Sequence, residues 1–526
     1  MRFFLCLTGL IPCFLADIAL ADWRADVGLT SLRTRLGAAA PTGAGIRVTQ
    51  VEACESACTA GTAVYAPNPA LPQFEGKTIE LACPVCSNEV FSNHASNVAA
   101  YFFGSGGTAI GVTSITANEA SNWLFSILRY TTPQPPWPVD DTRVHNHSWI
   151  GSMGDEVNRR YDYVISRDGI VACVGVNNNI TDVPPNLAAA YNVISVGLTS
   201  GRSSRGPITT GDGIGRVKPE IVASAGATSW ATPIVSGAAT LLLQVQEALD
   251  VPDVPDDLTG TEQRSAQVLL TKALLLAGAT KAEFESLGGW RKGFETPSID
   301  GTVPLDYRFG AGELNIDNSH RILTTNPQQT ACDNALRTLT GWNYAKIPGG
   351  GTHRYFFEIP AGQQAPAFSA IVTWNRHIDW WSNGSVYSLT PSLANIDLRL
   401  RRAQNFVPGE VIDQSISAVD NVEHIYQQNL PAGRYVLEVT SDLAWTYALA
   451  WDAPTALAAD YDGDGDVDAE DFEAFRTCAT RAGVVASPAC RARDLDGDGD
   501  VDLDDFGRFQ RCYSGANVPA NPACLQ

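Results

Sequence analysis

The alternation of apolar and polar positions divides the chain into three stretches of different character. Residues 46–245 alternate short apolar runs with segments of helical periodicity, which argues a parallel sheet covered by helices on both faces. Residues 45–52 read as a buried strand ending in a carboxylate, Glu52. Residues 168–178 read as an apolar strand ending in amides, and residues 216–223 as a third strand. A small-residue turn, Gly226-Ala-Thr, then delivers Ser229 into an Ala-rich apolar run reaching Leu243. Pro233 falls in that run where the first turn of a helix tolerates proline. Residues 250–261 are rich in Pro and Asp and read as a loop, and residues 266–279 are again helical.

Residues 331–452 change period. Short β-rich runs at 353–359, 368–374, 396–400, 422–428, 433–439 and 445–451 are separated by turn signals, a pattern that predicts an antiparallel β-sandwich. Within it, Trp380-Trp381 offers stacking faces for sugar rings, against the commoner role of packing in a core or rim. A short Pro/Ala linker, 453–459, follows.

The last segment is an internal repeat. Asp460-Tyr-Asp-Gly-Asp-Gly-Asp-Val-Asp-Ala-Glu-Asp471 and Asp494-Leu-Asp-Gly-Asp-Gly-Asp-Val-Asp-Leu-Asp-Asp505 both fit the twelve-residue calcium loop. Asp460, Asp462 and Asp464 fill positions 1, 3 and 5, Gly465 makes the turn, and Asp466 offers its carbonyl. Asp468 and Asp471 fill positions 9 and 12. The second loop supplies Asp494, Asp496, Asp498, Gly499, Asp500, Asp502 and Asp505 in the same roles. Phe472/Phe475 and Phe506/Phe509 are spaced to pack the helices that follow. The cofactor expected here is Ca2+. The competing reading is an acidic disordered tail.

Composition adds limits. The 526 residues are 44% apolar, enough for a substantial core. The net charge of −21 argues against nucleic acid or an anionic membrane as partner. From Asp460 onward there are 15 acidic residues against 6 Arg and no Lys. Met1-Arg2, an apolar run to Leu15 and Ala19-Leu-Ala21 read as a signal peptide, residues 1–21, so the mature chain is expected to be secreted or held at the cell surface. No later stretch is long enough to span a bilayer. Ten cysteines remain after Cys6 and Cys13 leave, and export favours disulfides. Cys478 and Cys490 are spaced like Cys512 and Cys524, so each pair is expected to close a local loop. Cys54, Cys58, Cys83 and Cys86 fit either two disulfides or a zinc site. Cys173 reads as a buried thiol, and Cys332 has no evident partner.

The segment Gly226-Ala-Thr-Ser-Trp-Ala-Thr-Pro resembles the serine motif of the subtilases, which implies an acid and a histidine upstream, in that order. Ser92-Asn-His-Ala-Ser-Asn-Val-Ala-Ala100 is similar to the subtilase histidine segment, and Glu52 stands where the family has its triad Asp. Asn178 matches the oxyanion asparagine, with Asn177 as the alternative register. Asn146-His-Ser-Trp-Ile-Gly151 resembles the substrate-binding strand. His145 and His147 within it read as loop or strand residues. The resemblance covers roughly residues 40–323. It implies acyl transfer on a protein or peptide substrate: Ser229 attacks, His94 moves the proton, Glu52 orients His94, and Asn178 holds the oxyanion. Several departures stand beside it. Ala227 replaces a glycine and restricts the turn, Trp230 is larger than the usual neighbour of the serine, and Ile150 narrows the pocket. Residues 22–45 leave no room for a folded pro-domain.

The doubled calcium loop closing on Asp resembles type I dockerin modules, which implies a cohesin-like partner captured through residues 456–526. The expected architecture is a multidomain chain. A doubly wound parallel α/β domain of subtilisin type occupies residues 22–330, a β-sandwich 331–452, and a small α-helical calcium-loop module 453–526. The expected function is a secreted serine endopeptidase with a tethering tail. The alternative is a catalytically silent scaffold of the same fold whose main role is calcium-dependent protein binding.

Overall fold

The computed structural model describes residues 22–55, 64–82, 91–139, 141–151, 153–181, 187–249, 260–293, 301–325, 328–521 and 524–525. The expected signal peptide, Cys58, Cys83, Cys86 and residues 250–259 lie outside them.

Helices α1 (Trp23–Asp26) and α2 (Leu29–Leu36) lead into β1 (Arg47–Glu52), β2 (Thr78–Leu81), α3 (Asn93–Phe102), β3 (Ser114–Glu119) and α4 (Ala120–Asn122). Then come β4 (Thr142–His147), α5 (Asp155–Asp168), β5 (Val171–Gly175), β6 (Ile194–Leu198) and the two-residue strands β7 (Gly206–Pro207) and β8 (Val217–Lys218). After β9 (Ile221–Ala223) the chain forms α6 (Thr228–Ala248), α7 (Gly260–Ala277) and α8 (Ile316–Thr325).

Seven of these strands make one parallel sheet in the order β2-β3-β1-β4-β5-β6-β9. Every residue of β4, β5 and β6 is buried, as central parallel strands covered on both faces require. β2 alternates exposed and half-buried positions and lies at the edge. The chain builds outward from β1 to one side, then crosses back to β4 on the other, so the strand order reverses at β1. Such a reversal opens a crevice at the carboxyl ends of the strands, and Glu52 stands there. α3 and α6 pack against each other, with α6 lying along β4, β5 and β6.

Residues 331–452 form the antiparallel β-structure expected of them, with a connectivity that the pattern does not show. The chain forms β10 (Cys332–Leu336), β11 (Gly341–Ile347), β12 (Thr352–Thr373), β13 (His377–Ser382), β14 (Tyr387–Ser392), β15 (Ile396–Gln404), β16 (Val407–Ser415), β17 (Val422–Ser441), β18 (Trp445–Asp452) and β19 (Ala456–Leu457). All but the β13–β14 hairpin belong to one mainly antiparallel sheet, with the path β11-β18-β12-β17-β15-β16. It is one sheet folded on itself, so that its two halves face each other as layers across a shared core, with strands continuous round the corner. The rings of Phe357 and Phe368 stack at 5.4 Å within the same strand, whereas eleven extended residues span about 36 Å. β12 and β17 turn this corner together. Their register shifts between Ile359 and Gln364, where Gly362 has φ +82° and Gly433 in β17 has φ +144°. The Pro and Gly residues that signal turns between strands therefore mark a bend that both paired strands share.

Strand alternation gives this sheet two faces. Trp445, Tyr447, Leu449 and Trp451 of β18 point into its own core with Phe357, Phe368, Trp374 and Leu400. Ala448 and Ala450, with Trp342, Tyr344 and Ile371, join the core of the α/β domain, where α7 lies against β18, β12 and β11. Small residues on that face let a helix approach the sheet closely. The hairpin β13–β14 covers α5: Trp380 stacks on Tyr387 at 5.8 Å and lies 4.8 Å from the Arg160 guanidinium, while Trp381 is exposed. No described helix is long and apolar enough to cross a membrane.

Buried polar groups cross the same junction. Arg376 donates from Nε to Asp162 at 2.8 Å and from Nη1 to Asp212 at 2.6 Å, and its main chain pairs with the Asn192 amide. Asp162 has no exposed surface, so losing its cation leaves a buried charge unpaired. Arg376→Met is expected to destabilise the chain by about 3–5 kcal/mol, read as a lower urea midpoint with an unchanged slope.

Candidate functional site

β1 brings Glu52 to the crevice with its side chain almost wholly buried. Ser92 caps α3 by accepting from the Ala95 N–H at 2.9 Å, which sets His94 in the first turn. His94 Nδ1 lies 2.9 Å from Glu52 Oε2. A carboxylate only accepts, so Nδ1 carries the proton and Nε2 is left with its lone pair. Burial raises the Glu52 carboxyl, opposed by its hydrogen bonds to His94 and Gln50. The Glu52 hydrogen bond raises His94 above the usual histidine range, against burial. The two shifts compete for one proton. The rise of His94 is the firmer direction, because both Glu52 oxygens are held by donors that stabilise the carboxylate.

Three further residues adjoin this pair, of which Gln50 and Glu55 belong to no sequence motif. Gln50 Nε2 donates to Glu52 Oε1 at 3.0 Å and to the Ala95 carbonyl at 2.9 Å. Glu55 accepts from the Ser92 hydroxyl and from the N–H groups of His94 and Asn93, which holds its carboxyl below the usual range. It places a second negative charge beside His94. Trp230 lays its ring 5.2 Å from the His94 ring and stacks on Tyr101 at 6.0 Å. An i,i+2 pair of polar residues in an apolar strand was the available signal for Gln50, since both side chains must share a face.

Ser229 is the second residue of α6, and its N–H, like the other first-turn donors, has no partner within the helix. Ala227 precedes the helix with φ −155°, extended backbone open to any residue, so the alanine imposes no strain there. Asn178 reaches across from the end of β5. Its Oδ1 accepts from the Thr228 N–H at 2.8 Å and from the Thr228 hydroxyl at 3.1 Å. The amide NH2 of Asn178 is therefore turned away from Thr228. Asn177 is tied through its main chain to Ser204 instead. Ser229 Oγ makes no hydrogen bond among the described residues. Catalytic hydrogen bonds commonly tighten only around substrate.

Pro233 is not in the first turn, as its sequence position suggested, but lies further inside α6. Having no N–H, it leaves the carbonyl four residues earlier unpaired, and that carbonyl belongs to Ser229. Ser148 Oγ donates to it at 3.1 Å, and Asn146 and Ser236 continue the chain of hydrogen bonds into the core. His145 and His147 are buried strand residues on the opposite face of the sheet, both within 3.3 Å of the Tyr161 hydroxyl. Ile150 is exposed.

In the last segment the two acidic loops match bond for bond. Asp460 accepts from the N–H groups of Gly463 at 2.7 Å and Gly465 at 3.1 Å, and Asp494 from Gly497 at 2.7 Å and Gly499 at 2.9 Å. Asp471 binds the N–H groups of Tyr461, Asp462 and Asp468, and Asp505 those of Leu495, Asp496 and Asp502. Gly465 and Gly499 adopt φ +96° and +100°, a conformation that favours glycine. Carboxylate oxygens of Asp460, Asp462 and Asp464 lie within 4.8 Å of one another, as do those of Asp466, Asp468 and Asp471. In the second loop the sets are Asp494, Asp496 and Asp505, and Asp500, Asp502 and Asp505. Asp498 accepts from the Asp500 N–H at 3.2 Å. Burial and neighbouring carboxylates raise Asp460, Asp471 and Asp505. An all-oxygen donor set under mutual repulsion fits a hard divalent cation.

Helices α9 (Ala469–Arg476) and α10 (Leu503–Cys512) follow the loops and meet through Phe472, Phe475, Phe506 and Phe509, with Phe475 and Phe509 5.4 Å apart. The Asp466 side chain accepts from the Asn517 N–H, and that of Asp500 from the Gly483 N–H. Each segment after a helix thus braces the other repeat's loop: Thr480 N–H bonds the Val501 carbonyl, and Ser514 N–H the Val467 carbonyl. Disulfides Cys478–Cys490 and Cys512–Cys524 close these segments, as their spacing predicts. Cys54 is also disulfide-bonded, whereas Cys173 and Cys332 are free.

No protein-family model matches the chain, and no curated protein does. Among solved structures it is similar to the prenylagaramide maturation protease PagA, at 18% identity and TM-score 0.35, over 56% of this chain and 97% of that one. The patellamide maturation protease PatA matches at 17% and 0.33, over 54% and 98%. The self-cleaved protease domain of PatA matches at 18% and 0.32, over 54% and 98%. TM-scores this low carry no argument about activity.

Ser148 offers a direct check on how α6 is held. Ser148→Ala leaves the Ser229 carbonyl without its donor and is expected to cost about 1–3 kcal/mol in a thermal or urea melt, whereas Ser236→Ala, one step further along the chain of bonds, spares that carbonyl.

Proposed function

We propose that the chain is a secreted serine endopeptidase of subtilase type, carrying a calcium-binding tail that tethers it to a partner. One observation carries the reading: the half-exposed His94, held by the buried Glu52, lies beside the Trp230 ring at the N-terminus of α6, where Asn178 bonds Thr228, the residue before Ser229. Ser229 Oγ attacks a peptide carbonyl while His94 Nε2 takes its proton. Glu52 holds the imidazole in the tautomer that exposes Nε2 and stabilises the cation that forms. The Ser229 N–H and Asn178 Nδ2 stabilise the developing oxyanion, and His94 then gives its proton to the leaving amine. The helix dipole at α6 favours the same negative charge.

Asp460, Asp462, Asp464, Asp468, Asp471 and the Asp466 carbonyl would hold one calcium ion. Asp494, Asp496, Asp498, Asp502, Asp505 and the Asp500 carbonyl would hold the second. The ion supplies positive charge that offsets the repulsion among these carboxylates. The resemblance to dockerins suggests a cohesin-like protein as the tail's partner. Export is supported by the disulfides, which belong to oxidising compartments. A second reading, the silent scaffold, draws on the absence of a hydrogen bond at Ser229 Oγ.

Labelling of the chain by a fluorophosphonate probe separates the two. A Ser229 adduct, absent from Ser229→Ala, is expected; no adduct on folded chain favours the scaffold. The pH dependence has a definite sign. His94 must be neutral to accept a proton, and its pKa lies above the ordinary value of about 6.5. Cleavage should therefore rise with pH through a limb centred above about 6.5, and Glu52→Gln should move that limb down while lowering the rate. Calcium removal should act elsewhere. EDTA is expected to lower the melting temperature of the intact chain, and Asp464→Ala with Asp498→Ala should remove most of that dependence, with calorimetry reporting the calcium bound.

A further inference from the structure

Gln50 is wholly buried, and the reaction described above gives it no part. Strand alternation turns Gln50 and Glu52 to the same face of β1, toward α3. Its Nε2 donates to Glu52 Oε1 at 3.0 Å and to the Ala95 carbonyl at 2.9 Å. These partners fix the amide's orientation, since the reverse would face its oxygen to a carboxylate and a carbonyl. Glu52 Oε2, the other oxygen, accepts from His94 Nδ1. Ala95 directly follows His94, so one amide ties the acid to the turn of helix that carries the histidine.

Two further facts separate this from ordinary packing. Among the described residues the Gln50 Oε1 is buried without a hydrogen-bond partner, a cost that an apolar side chain of the same size avoids. Glutamate also has one more rotatable bond than aspartate, so its carboxylate needs an extra restraint to keep one position. We propose that Gln50 is a positioning residue that clamps the Glu52 carboxylate to the His94 turn of α3 and so lets a glutamate serve as the acid of the triad. The clamp is a property of the Glu52–His94 pair, and its effect on rate rests on the peptidase reading.

The test compares Gln50→Met with the native residue in two assays. Titration of His94 by NMR in histidine-labelled Ser229→Ala protein reads the clamp without any need for turnover. Fluorophosphonate labelling of the Ser229 chain reads its effect on the nucleophile. Gln50→Met is expected to stay folded with a lowered melting temperature, to lower the His94 titration midpoint, and to slow labelling roughly tenfold or more. In a Glu52→Gln background it should change neither. An unmoved His94 midpoint in folded Gln50→Met overturns the proposal, as does an equal loss of labelling in the Glu52→Gln background. Gln50→Leu repeats the test with a branched side chain, and loss of fold in both variants would mark Gln50 as structural and also overturn it. A native chain that the probe never labels sinks the peptidase reading alone, because the titration still decides the clamp.

Discussion

A carboxylate with about one per cent of its side chain exposed survives as an anion only when its oxygens are bound on every side. Glu52 meets that condition at the carboxyl end of β1, with His94 on one oxygen and Gln50 on the other. Much of the surrounding structure answers to this pairing. β1 must keep its register so that Gln50 and Glu52 face α3. α3 must begin at Ser92 so that His94 falls in its first turn, and Glu55 secures that beginning from outside. α6 must then lie against α3 for Trp230 to reach the His94 ring. A shift of one residue in β1 would turn both polar side chains to the wrong face of the sheet.

The folded sheet of residues 331–452 stabilises the α/β domain rather than standing apart from it. Its alanine-lined face continues the core around α7, and the Arg376 and Asn421 side chains satisfy buried groups on the other side of the junction. Parallel sheets need cover on both faces, and here part of that cover comes from a later β-sheet. The same arrangement keeps the hairpin of Trp380 on α5, which explains that tryptophan as a packing residue.

How much of this was legible depended on the range of each signal. The parallel sheet, the two disulfides of the tail and the repeated acidic loops follow from local period and spacing, and the structure has them. Glu52, His94, Asn178 and Ser229 could be nominated because each adjoins the end of an element that the apolar pattern marks. Glu55 and Ser148 could not, because a single polar residue carries no sign of a partner on another element, and for Gln50 the i,i+2 spacing shows only that it shares a face with Glu52. Ser148 matters only because Pro233 lies inside α6 and strips a donor from Ser229. That two long strands run through both layers of the folded sheet is not legible for a related reason. Pro and Gly in β12 and β17 look like two separate turns, and only their pairing across the sheet makes them one corner.

The exchange of bracing segments in the tail has a consequence for its architecture. Asp460 and Asp494 start units 34 residues apart, and the contacts Thr480–Val501 and Ser514–Val467 repeat with that same offset. Each unit therefore finishes the other, as the two subunits of an isologous dimer do, but with a covalent connection between them. Neither half contains its own complete framework. The two loop-helix units are thus interdependent, and the contacts that complete each one recur in the other.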